Sequence, residues 1–363
     1  MDLKDILGKA AVDKLVEDFG EGAIQLAAEA RAENMPRWSS GSLRLDISLG
    51  GGWTIGRFHT IFGPPSSAKT ATTLKGIAMA QKCCSSCFVP LEVCVCGKQK
   101  PSVTALISTE NDFEKRWART LGVDVDALVF CEPTHGEMGL DVAEALIRSG
   151  SLDLLVIDSL ALLVPTTVIE ESSGKDHMAV QARLLSKGTQ KIAMAFRGCY
   201  AEFGRYPTVL VTNHTRVDPS VMFGSPEVKP GGSMPQYAAC TETRFSPVGY
   251  EPKKGAGANE PDCAVVKFRV HKNKTFDPRR AGEFRLLFKN SKDLCRGDFD
   301  DGGWPVDRLK EFGLLKQSKK KGKPWVLAGE EFRIQKDATK QMQQDLPFWW
   351  KVREVLATVM CRP

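Results

Sequence analysis

The stretch 57-RFHTIFGPPSSAKTATTLKGIAMAQK-82 decides how this chain is read. It opens with a short apolar run, turns through glycine, prolines and serines, and continues with helical spacing. A strand, a tight turn and a helix in that order present successive backbone N–H groups, and the positive end of a helix dipole, to an anion. The turn meets the phosphate-loop pattern G-x-x-x-x-G-K-[ST] at every fixed position but one. Gly63 is the first glycine, Lys69 the lysine and Thr70 the hydroxyl, while Ala68 stands in place of the second glycine. The candidate nucleotide-binding residues are therefore Gly63, Pro64, Pro65, Ser66, Ser67, Ala68, Lys69 and Thr70. Lys69 would reach the β- and γ-phosphates of a nucleoside triphosphate, and Thr70 would ligate Mg²⁺. Glycine serves where φ is positive or where backbone must pass close to a ligand. Another residue forced into the left-handed region costs about 1–2 kcal/mol. Alanine is the smallest side chain that can bear that cost, so binding is expected to survive.

The flanks supply the partners such a loop needs. "VTALIS" (103–108), "LDLLVID" (152–158) and "TVLVTN" (208–213) are short apolar runs of strand type, separated by amphipathic stretches such as "MAVQARLLSKGTQKIAMAF". This alternation predicts an α/β fold with a mostly parallel central sheet covered by helices. In such sheets ligands sit at the carboxyl ends of the strands. There the sequence places Asp158, suited to hold Mg²⁺ through water, and Glu110, a candidate general base. Asn213 and His214 end a third strand and are candidates to sense the γ-phosphate. Each alone reads more readily as a cap or turn residue; the conjunction is what points to a nucleotide site. Further strands are expected at "TETRFSP" and "CAVVKFRV", joined by a polar loop, "EPKKGAGANEPD" (251–262). Upstream, residues 3–19 repeat apolar side chains on one helical face, and "EGAIQLAAEARAEN" continues as a second helical stretch.

The bulk composition fits a globular protein. The chain has 363 residues, 42% apolar and 26% charged, with a net charge of +6, which permits a polyanionic partner without requiring one. No apolar run is long enough to span a bilayer. The N-terminal "MDLKDILGKAAVDKL" lacks a signal core, which points to the cytoplasm. From residue 300 the character changes: "LKEFGLLKQSKKKGKPW" (309–325) carries six lysines against one glutamate. "KQMQQDLPFWWKVREVLATVM" reads as a terminal amphipathic helix interrupted near Pro347.

"SSGSLRLDISLGGG", "GPPSSAKT", "WARTLGVDVDALVF", "EALIRSGSLDLLVIDSLALLVP", "DHMAVQARLLS", "VMFGSPEVKPGG" and "HKNK" occur in this order. On these motifs the chain closely resembles the bacterial RecA-type recombinases and their phage homologues, from about residue 38 to 290. The resemblance implies a RecA-like ATPase core over 38–299, a helical oligomerisation segment over 1–37 and a small basic α+β appendix over 300–363. It implies a homo-oligomeric filament on single-stranded DNA, assembled with ATP and Mg²⁺, that pairs with homologous duplex DNA and exchanges strands. A single-strand-binding protein and a loader are the implied helpers, in the cytoplasm of a bacterium or of a phage host. By the same resemblance Glu110 is the catalytic glutamate, Asp158 the Mg²⁺-site aspartate and Trp117 the aromatic that stacks on adenine. His214 stands where a glutamine usually couples the γ-phosphate to DNA. Lys272 and Lys274 match a pair reaching the ATP of the neighbouring subunit, and Tyr237 an interface aromatic. Two loops, about 169–178 and 215–232, would hold DNA. Met178, Arg183 and Ser186 follow the first; Arg216, Val217, Pro219, Phe223, Gly231 and Gly232 belong to the second. Arginines and glycine N–H groups suit phosphates, and apolar residues suit wedging between bases. The departures are Ala68 for glycine, Pro65 for a residue usually acidic, and a basic rather than acidic end; the first two would slow hydrolysis or alter nucleotide preference.

"CCSSCFVPLEVCVCGK" is an insertion relative to the family, at about 82–100. Cys84 and Cys87 form C-x-x-C, and Cys94 and Cys96 form C-x-C, a spacing that suits structural Zn²⁺. Cys83 is the alternative to Cys84 as ligand, and a redox-sensitive or unliganded thiol cluster is the other reading. The lysine run 316–323 reads either as a solvated face or as a site for incoming duplex. Two functional alternatives remain beside the DNA-dependent ATPase: a non-catalytic filament accessory, and a ring-forming helicase of the same core fold.

Overall fold

The computed structural model describes residues 2–20, 24–27, 35–170, 178–217, 227–229, 232–252, 261–291, 293–318, 325–333 and 335–361. Its strands in chain order begin with β1 (Arg37–Trp38), β2 (Trp53–Thr54), β3 (Phe58–Gly63), β4 (Thr104–Ser108) and β5 (Leu128–Cys131). There follow β6 (Leu154–Asp158), β7 (Thr208–His214), β8 (Arg216–Val217), β9 (Glu227–Val228) and β10 (Thr241–Pro252). The last are β11 (Pro261–Asn273), β12 (Ala281–Leu287), β13 (Phe299–Asp300), β14 (Leu315–Gln317), β15 (Trp325–Leu327) and β16 (Glu330–Phe332).

Nine of them form one sheet in the order β13-β12-β11-β10-β3-β7-β6-β4-β5. From β10 to β5 every pairing is parallel, and β11, β12 and β13 add an antiparallel flank. The central strands are buried along their whole length, as continuous apolar runs in a parallel sheet require. Alternation of side chains divides β6 between two cores. Leu154 and Val156 pack with Leu74, Ile77 and Ala78 of the helix Lys69–Gln81. Leu155 and Ile157 face Leu140, Ala143 and Ile147 of the helix Gly136–Arg148, with Leu185 and Ile192 of the helix Met178–Phe203. Among the described residues no helix is long and apolar enough to cross a membrane.

Several boundaries differ from the sequence reading, each for a local reason. The expected helix over 3–19 is two helices, Leu3–Leu7 and Lys9–Phe19, because Gly8 adopts φ 81° between them. Neither buries a residue against this chain, and Phe19 is 68% exposed. The second N-terminal helical stretch lies mostly outside the described residues. The polar loop 251–262 is shorter than expected, because β10 runs on to Pro252 and β11 begins at Pro261. Strands β5 and β12 were not expected. The terminal helix does break, at Asp345, and Pro347 sits in the first turn of the helix Leu346–Cys361, where its missing N–H costs nothing.

The chain after residue 300 forms a helix (Trp304–Glu311), the small antiparallel sheet β14-β15-β16 and two closing helices. Leu43 and Ile47 of the helix Leu43–Ser48 enter the same apolar cluster as Val306, Leu309, Phe348 and Val352. Arg353 fastens this junction and is almost wholly buried. Its guanidinium donates to Asp46 Oδ2 at 3.1 Å, to the Arg37 carbonyl at 3.1 Å and to the Gly51 carbonyl, and it stacks 4.3 Å over the Trp350 ring. Asp46 also accepts from the Ser39 and Ser40 hydroxyls and the Ser40 N–H. Burial pushes the Asp46 carboxyl above its usual range, and Arg353 pulls it back. Removing one member of such a pair leaves a buried charge without its partner. Arg353→Met is therefore expected to destabilise the chain by about 3–5 kcal/mol, read as a shifted urea-unfolding midpoint.

Candidate functional site

Parallel register gathers the predicted groups. Gly63 of β3 pairs with His214 of β7, and Ser108 of β4 pairs with Asp158 of β6, so the carboxyl ends of four parallel strands gather at one edge of the sheet. There a cavity of about 430 Å³ is lined by Pro65, Ser66, Ser67, Ala68, Lys69, Thr70, Glu110, Trp117, Asp158 and His214, all of them expected nucleotide-site residues. Gly63 and Pro64, the first two residues of the loop, do not line it. A Cβ on Gly63 would meet the Phe245 carbonyl oxygen at 2.2 Å, so only glycine fits that close approach. Asn213 is buried in β7 and, unlike His214, does not line the cavity.

The turn is built as its sequence requires. Ala68 caps the helix Lys69–Gln81 with φ 59° and ψ 27°, the left-handed conformation that the missing glycine would adopt freely. Ser66 has φ 58° as well. Lys69 Nζ donates to the Pro64 carbonyl at 2.8 Å, as does Ser67 Oγ. Burial lowers the Lys69 pKa, while Asp158 and Glu110 favour its charged form. Asp158 is buried, and burial raises its pKa; the Thr212 and Thr70 hydroxyls donate to it, and Glu110 and Asp112 raise it further. The cis peptide Asp158–Ser159 follows it. The ends of β4 and β6 are tied by Thr109 Oγ1 to the Ser159 carbonyl at 2.9 Å and by the Ser159 N–H to Thr109 Oγ1 at 2.8 Å. His214 Nε2 lies 2.7 Å from Glu110 Oε1. Thr70 and Asp158, adjacent hard oxygen donors beside a cationic lysine, fit a Mg²⁺–phosphate complex.

The cavity wall includes residues that no motif announced. Asp112, Phe113, Tyr250 and Phe288 line it with Trp117, whose ring is stacked by the Arg296 guanidinium at 5.5 Å. Tyr250 lies on β10 where it pairs antiparallel with Ala264 of β11, Phe288 follows the end of β12, and their rings stand 6.2 Å apart. Only sheet pairing brings them to the phosphate loop.

The other expected groups lie elsewhere. Lys272 and Lys274 do not line this cavity; their ammonium groups donate to the Gln236 and Tyr237 carbonyls, and the Tyr237 ring is 69% exposed. Arg183 and Ser186 lie on the helix Met178–Phe203, which Met178 begins, with Arg183 exposed. Arg216 and Val217 form β8, which pairs antiparallel with β9. A Cβ on Gly232 would lie 3.5 Å from Ala182, which sets the end of the second loop against that helix. Pro219, Phe223 and Gly231 fall outside the described residues, as do most of the first loop and positions 319–323 of the lysine run.

The cysteine insertion follows the phosphate-loop helix directly. The sulfurs of Cys84, Cys87, Cys94 and Cys96 lie within 4.8 Å of one another, with Cys94–Cys96 at 3.3 Å, Cys87–Cys94 at 3.4 Å and Cys84–Cys96 at 3.6 Å. Tetrahedral Zn²⁺ with bonds of about 2.3 Å needs sulfurs roughly 3.8 Å apart, so the set fits. Burial pushes the Cys84 thiol up, but backbone N–H groups, with Cys94, bring it down to about 6. Cys83 does not belong to the set. Its thiol donates to the Met79 carbonyl at 3.3 Å, and burial pushes its pKa up to about 12. Phe88 of the insertion meets Trp38 edge-on at 5.3 Å, and Trp38 Nε1 donates to Thr208 at the start of β7.

A phosphate loop on an open, mostly parallel sheet, with Asp158 at the end of β6 and Glu110 just past β4, defines the class of phosphate-loop nucleotide-binding proteins. Residues 6–293 match the family model of the RecA N-terminal domain. Over 283 residues the chain is 37% identical to protein RecA of Leptospira biflexa, covering 77% of this chain and 66% of that protein. Against protein RecA of Acinetobacter baylyi it is 35% identical over 281 residues, 77% of this chain and 73% of that one. Against protein RecA of Streptococcus pyogenes it is 34% identical over 283 residues, 77% and 68%. The chain belongs to the RecA family.

The left-handed Ala68 yields a direct test. Ala68→Gly relieves the strain at an unchanged backbone and is expected to stabilise the chain by about 1 kcal/mol in chemical denaturation.

Proposed function

We propose that this chain is an ATP-dependent recombinase that forms a filament on single-stranded DNA, pairs it with homologous duplex and exchanges strands, hydrolysing ATP as it does so. The observation that carries this reading is the meeting of Lys69, Thr70, Glu110, Asp158 and His214 at one cavity, in a member of the RecA family. The printed name of its relatives, protein RecA, favours it over a non-catalytic accessory and a ring-forming helicase.

Each residue has a definite task. The loop N–H groups and the N-terminus of the helix Lys69–Gln81 receive the phosphates. Lys69 leaves the Pro64 carbonyl for the β- and γ-phosphate oxygens, exchanging a neutral acceptor for an anionic one. Thr70 and Asp158 would hold Mg²⁺, which neutralises charge between the β- and γ-phosphates. Glu110 orients and deprotonates the attacking water. His214, in hydrogen-bond contact with Glu110 and one residue from the second loop, reports the γ-phosphate to that loop. Trp117 stacks on the adenine. Lys272 and Lys274, placed beside exposed Tyr237, act across the filament interface on the neighbouring subunit's ATP, so hydrolysis depends on assembly. The exposed apolar face of residues 3–19 is the docking arm of the 1–37 segment. The core extends over 38–299 and the basic appendix over 300–363. The protein acts in the cytoplasm, assisted by a single-strand-binding protein and a loader.

ATP hydrolysis by the full chain is expected to be strongly stimulated by single-stranded DNA. Glu110→Gln should lower kcat by roughly 10²-fold or more while ATP still binds. Nucleotide binding without turnover, with or without DNA, would leave the accessory reading in front.

The four-cysteine set binds one structural Zn²⁺ through Cys84, Cys87, Cys94 and Cys96. Elemental analysis is expected to find one zinc per chain. Cys87→Ser should lose the metal and about 2–3 kcal/mol of stability, since metal binding is linked to folding of the insertion. A metal-free chain of unchanged stability would make the cluster a set of free thiols.

A further inference from the structure

Lys229 lies one residue beyond the ribbon strand β9, at the base of the second loop, and its side chain turns into the protein. Its ammonium group donates to Glu242 Oε1 at 2.7 Å and sits 4.3 Å above the Phe62 ring. Both partners belong to the machinery described above. Phe62 immediately precedes Gly63, where the phosphate loop begins. Glu242, buried in β10, pairs in register with Thr60 of β3 on one side and Lys272 of β11 on the other. The Phe62 ring in turn meets His271, the neighbour of Lys272, edge-on at 5.3 Å. One cation thus touches the strand that launches the phosphate loop and the strand pair that carries the interface lysines.

We infer that Lys229 is a positioning residue that couples the second loop to the nucleotide site: its contacts with Glu242 and Phe62 transmit the state of the loop to Gly63 and Lys272. The inference rests on the recombinase reading, in which that loop holds DNA. A largely buried pair is strong only in good geometry, and a cation over an aromatic face adds to it. Displacement of the loop base therefore changes both contacts together. Coupling between two ligands is a free energy and acts in both directions.

The test measures the affinity of the full chain for a non-hydrolysable ATP analogue with Mg²⁺, with and without an oligo-dT strand, and the affinity for the strand with and without the analogue. Wild type is expected to show the same ratio both ways, at least about 5-fold. Lys229→Met keeps the aliphatic stem on Phe62 and removes the charge, and its ratio should fall toward one. Lys229→Arg should restore it. Glu242→Gln should match Lys229→Met, and the double variant should lose no more than either, because the two residues share one contact. Thermal unfolding of each variant separates this from loss of fold, which would lower both affinities without changing their ratio. A wild-type ratio in Lys229→Met, or equal loss in Lys229→Arg, would overturn the inference. So would a wild type that binds both ligands without coupling. A chain that binds no oligo-dT would overturn the recombinase reading itself, and this inference with it.

Discussion

The constraint on which the rest depends is the parallel register of β3, β7, β6 and β4. A parallel pair cannot be closed by a tight hairpin, so each strand must return through a covering helix. That makes every strand end point the same way. Gly63 is level with His214 and Ser108 with Asp158, and the pairing of β6 with β7 sets the first pair two residues beyond the second, at one edge of the sheet. A slip of one residue would turn each side chain to the opposite face and scatter the cavity. Burial of both faces, through the two separate clusters that divide β6, is what forbids the slip.

Around that ladder the buried charges at the loop face opposite charges or hydroxyls. Lys69 is largely buried and faces two carboxylates, while Asp158 is buried and faces two hydroxyls. Four acidic residues, Glu110, Asp112, Glu114 and Asp158, line the cavity with one lysine, Lys69. Such a site carries more negative charge than it neutralises, which favours a divalent cation arriving with the phosphates. The strain at Ala68 lies in the same place, where backbone departures from the common regions gather at functional turns.

Two further attachments hold the periphery to the core by polar contacts rather than by area alone. Arg353 ties the last helix to the turn Gly50–Gly52 and to Asp46, and Trp38, between Phe88 and Thr208, ties the cysteine insertion to the base of β7. The insertion is therefore packed on the core scaffold and continuous with the phosphate-loop helix.

The strand–helix alternation of the core, the phosphate loop, Asp158 at the end of β6, Glu110 just past β4 and the cysteine spacing were legible in the sequence. They are local: each depends on residues within a few positions, where apolar period and loop chemistry act. The sequence also left open which of Cys83 and Cys84 joins the four-cysteine cluster, because spacing permits both; only the fold turns Cys83 toward Met79 and into the core. Tyr250, Phe288 and Asp112 could not be assigned to the cavity from sequence, since the first two reach it through the antiparallel flank. Arg353 pairs with Asp46 across 307 positions, and Lys229 meets Phe62 of β3 from a distant part of the chain. Local pattern determined the elements and the chemistry of the loop. Tertiary structure alone decided these long-range pairs, because nothing in the sequence marks which distant partner a buried charge will find.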